Sequence, residues 1–215
     1  MSRAFTKIAF TPAVKAAQSL YGSRAAYARF EAGDDAGDTL TPRETEFIRA
    51  RDSFYQATVS ETGWPYVQFR GGPAGFLQVL DERTIAYADF RGNRQYMSVG
   101  NLNTDGRVAL ILMDYPNRRR LKIWGQAQVI HDSENPQLVA RLEMPHYRAQ
   151  VERVIVIAVE AYDWNCPQHI TPRFTEAEIA AAAADIQQEL AELKAENAKL
   201  KTALLRKGAS KNSKP

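Results

Sequence analysis

The sequence predicts a mainly β protein: an antiparallel barrel, closed or nearly closed, with peripheral helices before it and one long coiled-coil helix after it. Three observations predict this. Short apolar runs, bounded by turn residues, recur from residue 53 to residue 162. No strand–helix–strand alternation is visible, which argues against a doubly wound sheet. From Ile179 onward, apolar residues alternate spacings of four and three, the pattern of a heptad seam.

The bulk properties set limits. A chain of 215 residues is expected to hold one domain with appendages. Apolar residues make up 45% of it, enough for a core and too many for a disordered chain. The net charge of +3 is small, and the tail lysines Lys207, Lys211 and Lys214 carry part of it, so no nucleic-acid partner is expected. The single cysteine, Cys166, excludes an internal disulfide. No apolar run approaches the roughly 20 residues that span a bilayer. Residues 2–10 hold no continuous apolar segment, so neither a membrane partner nor a signal peptide is expected, and the expected location is the cytoplasm.

The elements follow in chain order. Thr11-Pro12 is a helix start, with Thr as the cap and Pro at the first helical position. Gly22-Ser23 interrupts that helix. Arg24, Tyr27 and Arg29 then mark either a docked surface helix or a lid over a ligand. Residues 31–40 are acidic and glycine-rich and read as a loop. Thr41-Pro42-Arg43-Glu44 is a capping box, which predicts a helix over residues 42–51. Strands are expected at residues 53–60 and 64–70. Alternation places Tyr66, Gln68 and Arg70 on one face of the second strand, facing solvent or a polar cavity. A hairpin joins residues 76–80 to 84–89. Further strands are expected at residues 107–114, 119–130 and 151–162, with Gly125 as a break or bulge. Asn135-Pro136 opens a helix to about residue 143. The run Arg118-Arg119-Arg120 reads as a solvated turn.

Two loops concentrate functional residue types. The first, residues 90–95, packs Arg91, Gly92, Asn93, Arg94 and Gln95 between a strand and a helical run expected at residues 94–101. Guanidinium groups offer a planar fork of donors to phosphate, and a helix start adds backbone N–H groups and the positive end of a dipole. The loop therefore suits an anion. The second loop, residues 163–173, holds Cys166, Gln168 and His169 between two prolines. A thiolate pair or half a metal site is conceivable there, but His131 and His146 have no metal-ligand spacing to it. A packed cysteine is the commoner outcome, and no metal is expected. Gln168 and His169 are kept as ligand contacts.

In the tail, Thr175 to Glu178 form a second capping box. Ile179, Ala183, Ile186, Leu190, Leu193, Asn197, Leu200 and Leu204 then form the seam, with Leu193 and Leu200 at d and Asn197 at a. A helix of roughly 30 residues, about 45 Å long, is expected to pair as a coiled coil rather than pack on its own barrel. The expected division is a helical arm at 1–40, the barrel at 41–174, the coiled coil at 175–206 and a disordered tail at 207–215.

The block of residues 54–130 resembles the FMN-binding split-barrel family related to pyridoxamine 5'-phosphate oxidase. The residues that carry the likeness are Gly63-Trp64-Pro65, Gly75-Phe76, Tyr87-Ala88-Asp89-Phe90-Arg91-Gly92-Asn93-Arg94-Gln95 and Ile123-Trp124-Gly125. Asn93-Arg94-Gln95 is similar to the Ser-Arg-Lys segment by which the oxidase holds the FMN phosphate. The ending from Trp164 to Arg173 is similar to that of an oxidase-related subgroup. The likeness covers about residues 40–175 and implies an antiparallel split β-barrel, FMN as cofactor, and a homodimer with FMN between subunits, an arrangement that lets two tails leave side by side. It also implies that Arg91, Asn93 and Arg94 hold the phosphate with Arg70 assisting. Gln68, Gln168 and His169 are then expected to hydrogen-bond the ring or ribityl chain, and Trp124 to pack near the ring or in the core. Where the oxidase has an Arg-x-Val-Leu-Leu-Lys run, this chain reads Val67-Gln68-Phe69-Arg70-Gly71-Gly72-Pro73. FMN binding is therefore implied, and oxidation of pyridoxamine phosphate is not. The resulting expectation is an FMN-dependent oxidoreductase that accepts electrons from NADH, NADPH or a small organic substrate. The alternatives are a flavin-binding or sensor module without turnover, and a coiled-coil interaction protein on a barrel platform.

Overall fold

A computed structural model describes residues 1–33, 36–144, 146–164 and 166–211, with the side chains among them to residue 202. Residues 34 and 35 of the expected acidic loop, and 212–215 of the expected disordered tail, lie outside the described residues. The chain divides into two units, Met1–Thr171 and the segment from Pro172 onward.

In the first unit, short apolar runs, alternating in β1, β5 and β6 and nearly continuous in β4 and the middle of β7, build seven strands: β1 (Ser53–Val59), β2 (Pro65–Gly71), β3 (Leu77–Asp81), β4 (Thr84–Phe90), β5 (Arg107–Asp114), β6 (Arg119–Ile130) and β7 (Val151–Trp164). They form one sheet in the order β2-β1-β5-β6-β7-β4-β3. Every pairing is antiparallel. The inward residues of six strands, among them Phe54, Leu77, Tyr87, Leu110, Ile123 and Ile157, enter a single buried cluster. A sheet whose distant strands share one core must curl on itself. The Tyr87 hydroxyl of β4 donates to Gln56 Oε1 of β1 at 2.7 Å, across three intervening strands. The edge strands β2 and β3 stay unpaired with each other, so the result is an antiparallel split β-barrel. On the outer side, Val139 and Leu142 of α6 (Pro136–Leu142) cover Ala86, Ala88 and Val154.

Local chemistry sets the element ends. In α4 (Pro42–Arg49) the capping box forms as expected: Glu44 accepts from the Thr41 backbone N–H at 3.1 Å and from the Thr41 hydroxyl. Its other oxygen accepts from Trp164 Nε1 at 2.6 Å. Trp164 lies edge-on to Phe47, at 4.7 Å between centroids, and Arg43 sits 4.5 Å over its ring. Arg119, expected in a solvated turn, opens β6, lies 5.2 Å over the Phe47 ring and pairs with Asp114 at 3.4 Å. The expected break at Gly125 is a register shift between β6 and β7.

The arm holds a helix the sequence reading lacked, α1 (Arg3–Ala9). Ser2 caps it and donates its hydroxyl to the Tyr162 carbonyl at 2.8 Å. Phe5 is buried and stacks on Trp124 at 4.5 Å. Seven residues do not make a helix stable by themselves, so this packing is what holds it. The next helices, α2 (Pro12–Leu20) and α3 (Arg24–Glu31), bury no residue. Lys15 and Arg24 both pair with Glu31, at 3.0 and 2.5 Å.

The second unit is α7 (Glu176–Lys211), a helix of 36 residues. It includes residues 207–211, which the sequence reading assigned to a disordered tail. Among the described residues, no helix is long and apolar enough to cross a membrane.

Two outcomes follow from this packing. A Cβ at Gly125 would come 2.2 Å from the Ala158 carbonyl oxygen and 2.9 Å from Ile157 Cγ2. Gly125→Ala should therefore destabilise the barrel by roughly 1–3 kcal/mol, read as a lower Tm; an unchanged Tm would show that the bulge yields freely. Burial opposes ionisation of Glu44, but hydrogen bonds from Thr41 and Trp164 outweigh it and hold the carboxyl below its ordinary value. That stabilisation is present above the unfolded carboxyl pKa and fades as pH falls through the lower folded one. Glu44→Gln should cost about 1–2 kcal/mol at neutral pH. In denaturant titrations its deficit should shrink below about pH 4; a deficit that stays constant with pH would show that the charge contributes nothing.

Candidate functional site

The split is where polar side chains gather. β2 contributes Gln68 and Arg70 from the face that alternation had grouped, while Val67 and Phe69 point outward and are exposed. β4 ends at Asp89 and Phe90. The chain then turns through residues 91–96 into α5 (Met97–Thr104). The helix expected at residues 94–101 starts later, because Arg94 and Tyr96 take φ of 63° and 55°. Those left-handed conformations cannot belong to a right-handed helix. No side chain caps α5, so its first N–H groups remain available to an acceptor.

Together these segments line a cavity of about 60 Å³, with Gln68, Arg70, Asp89, Asn93, Arg94, Gln95, Tyr96, Ser98 and Glu152 in its wall. Drug-sized ligands fill roughly 300–1,000 Å³, so this space suits one end of a ligand and not the whole. A hollow of about 270 Å³ lies alongside and shares Gln68, Arg70, Asp89, Phe90 and Gly92.

A charge network crosses the split. Arg70 on β2 pairs with Asp89 on β4 at 2.8 Å. Arg153 on β7 lies 3.7 Å from Asp89 and 2.5 Å from Glu152. Its guanidinium sits 4.9 Å over the Tyr96 ring. The Tyr96 hydroxyl donates to Glu152 at 3.2 Å and accepts from Arg94 Nε at 3.3 Å. Burial raises the Asp89 pKa, and the flanking Arg70 and Arg153 pull it back. Burial likewise holds the Tyr87 phenol well above its ordinary value, which keeps it neutral. Arg70 Nε and Arg153 Nε are buried without a hydrogen-bond partner among the described residues. Arg91 Nε also lies 3.7 Å from Glu152. Four guanidinium groups, those of Arg70, Arg91, Arg94 and Arg153, thus surround two carboxylates here, and the uncapped helix start adds partial positive charge. The donor set therefore fits an anionic group.

Of the residues singled out from sequence, the structure brings Gln68, Arg70, Asn93, Arg94 and Gln95 to one cavity. Arg91 lines the neighbouring hollow and donates to Gln150 Oε1 at 2.8 Å. Gln168 and His169 are exposed on the loop after β7 and line neither space. Trp124 packs on Phe5 and lines a separate apolar groove. Arg24 and Tyr27 of the arm line neither cavity; Tyr27 lies edge-on to Phe10 at 5.8 Å. The sequence reading missed Tyr96, Ser98, Glu152 and Arg153. The available signal was Glu152-Arg153, a charged pair opening an otherwise apolar strand. Among the described residues no group of three or more His, Cys, Asp or Glu is placed to hold a metal ion.

An antiparallel split barrel with a cation-lined cavity at its opening defines the class. The sequence model of the pyridoxamine 5'-phosphate oxidase family matches residues 40–171, and the chain belongs to that family. No curated protein matches the sequence. Among solved structures, HupZ of Group A Streptococcus is similar at 16% identity over 63% of this chain and 99% of that one, with a TM-score of 0.48. An FMN-binding protein of Syntrophomonas wolfei is similar at 14% identity over 69% and 97%, with a TM-score of 0.42. A Clostridium acetobutylicum protein related to general stress protein 26 is similar at 15% identity over 64% and 94%, with a TM-score of 0.42.

The network makes a direct prediction. Asp89→Ala leaves two largely buried guanidinium groups without their shared carboxylate. It should cost roughly 3–5 kcal/mol in chemical denaturation, and a loss below about 1 kcal/mol would show that the pairs are solvent-screened.

Proposed function

We propose that this chain is an FMN-binding flavoprotein that acts as a homodimeric FMN-dependent oxidoreductase. The observation that carries the reading is the convergence of Arg70, Arg94 and the uncapped start of α5 on one anion-sized cavity, in a chain of the pyridoxamine 5'-phosphate oxidase family. Arg94, Asn93 and Gln95 hold the terminal phosphate, with Arg70 and the first α5 N–H groups behind them. Arg91 closes the adjoining side. Gln68, which accepts from the Tyr66 hydroxyl at 3.0 Å, orients the part of the ligand nearest β2.

When bound, FMN supplies the acceptor for a hydride or electrons from a reduced nicotinamide or a small organic substrate. The chain binds and orients it. Asp89 and Glu152 are each held between two guanidinium groups, which fixes the cations that line the site. The homodimer reading is supported by the exposed apolar residues Tyr55, Val67, Phe69 and Ile111 on β1, β2 and β5, since a cluster of this kind marks an interaction surface. Gln168 and His169, which line neither the cavity nor the hollow beside it, enter the proposal as contacts made in that dimer.

Purified protein should be yellow and release FMN, identified by mass, and NADH or NADPH should bleach it with recovery in air. Protein that is colourless and takes up no added FMN removes the reading; flavin that no donor bleaches leaves binding without turnover. Arg94→Ala, on an exposed loop, should weaken FMN binding about 10- to 100-fold with an unchanged apo-protein Tm. Equal flavin content in that variant would remove the phosphate assignment.

A further inference from the structure

Helix α7 presents an apolar stripe that nothing among the described residues of its own unit covers. Ile186 is 68% exposed, Leu190 49%, Leu193 55% and Leu200 57%. Bare stripes of this size on a charged helix call for a partner. The charges beside the stripe identify it.

With Leu193 and Leu200 at d, Ile179 and Ile186 are also d, and Ala183, Leu190 and Asn197 are a. The g positions are then Glu189 and Glu196, and the e positions that follow them are Lys194 and Lys201. In a parallel pair, each g residue faces the e residue five positions later on the other helix. Glu189 therefore meets Lys194 of the second copy, and Glu196 meets Lys201. Symmetry repeats both pairs. In an antiparallel pair, g faces g and e faces e, so glutamates would meet glutamates and lysines lysines. Among the described residues, none of these four charges has an ion-pair partner in its own chain. Asn197 adds a register condition. Its amide is satisfied across the seam only by the same amide of the other copy, and a one-heptad slip would set it against leucine. The hollow lined by Leu193, Lys194, Asn197, Ala198 and Lys201 marks the place on the helix where a facing side chain would seat.

We propose that α7 is a homotypic docking surface, through which two copies of this chain pair in parallel and in register from Ile186 to Leu200. The pairing is independent of what the barrel binds. The alanine-rich stretch from Ala180 to Ala184 offers little apolar bulk, so the seam is strongest in the half after Ile186.

The test uses the full chain with Cys166→Ser, so that an introduced thiol is the only one. Leu193→Cys places a thiol in the seam, and Ala195→Cys places one at f, on the far side. Under mild oxidation the seam variant should form an interchain disulfide on the order of a hundredfold faster, because pairing raises the local thiol concentration. Equal rates would overturn the proposal, as would pairing of the barrels alone or docking of α7 on its own barrel. A second measurement reads the charges. Glu189→Lys/Glu196→Lys and Lys194→Glu/Lys201→Glu chains, both with Leu193→Cys, are mixed in a thiol redox buffer. Mixed dimers should exceed like dimers by at least about tenfold over their statistical share. A statistical mixture would overturn the assignment of the facing charges.

Discussion

The barrel of this protein opens between β2 and β3, where no backbone ladder joins the two edges. What spans the opening is the ion pair of Arg70 with Asp89, backed by Arg153 from β7. A ladder would satisfy every peptide group along the seam and leave no space. A few charged side chains instead reach across it. Asp89 is mostly buried and serves two guanidiniums at once. That fixes Arg70 at the back of the cavity without using all its donors, since Arg70 Nε keeps no partner. The same interaction thus bridges the split and prepares its cation.

The loop after β4 completes the cavity by an unusual backbone path. Two non-glycine residues, Arg94 and Tyr96, take left-handed conformations, which cost of order 1–3 kcal/mol each. Tyr96 is held by the Glu152 carboxylate and by Arg153 over its ring. Arg94 donates to the Tyr96 hydroxyl and feels the nearby Glu152 carboxylate. The reward is position: the α5 N–H groups, Ser98 and the Arg94 side chain face one small space. Charge there is partly balanced, with Arg70, Arg91, Arg94 and Arg153 set against Asp89 and Glu152, so the site carries a positive excess without an unpaired cluster of like charge.

The two units divide the work by geometry. The barrel is stabilised by a continuous core, and its polar cavity lies at the one place where sheet pairing stops. Helix α7 has no core of its own, and its apolar stripe gains stability only from another surface. In the proposed pairing, the g and e charges would add direction to a stripe that is otherwise sticky in any orientation.

Most of the fold was legible because the signals are local. Short apolar runs between turn residues located seven strands, the Thr41–Glu44 box located α4, Thr11-Pro12 located α2, and Gly125 located the shift in β6. The polar character of residues 91–95 was legible from composition, and the long helix α7 from the capping box at Thr175 and the spacing of apolar residues after it. Helix α1 was not, since it depends on Phe5 finding Trp124 more than a hundred residues away. Nor was the start of α5, which the left-handed residues before it delay. The sequence alone singled out Gln68, Arg70, Asn93, Arg94 and Gln95, which the structure brings to one cavity. Only the tertiary structure decided that Asp89, Glu152 and Arg153 stand beside them, because the order of strands in the sheet, which sets β7 against β4, is decided by which faces bury best together and not by any local run of residues.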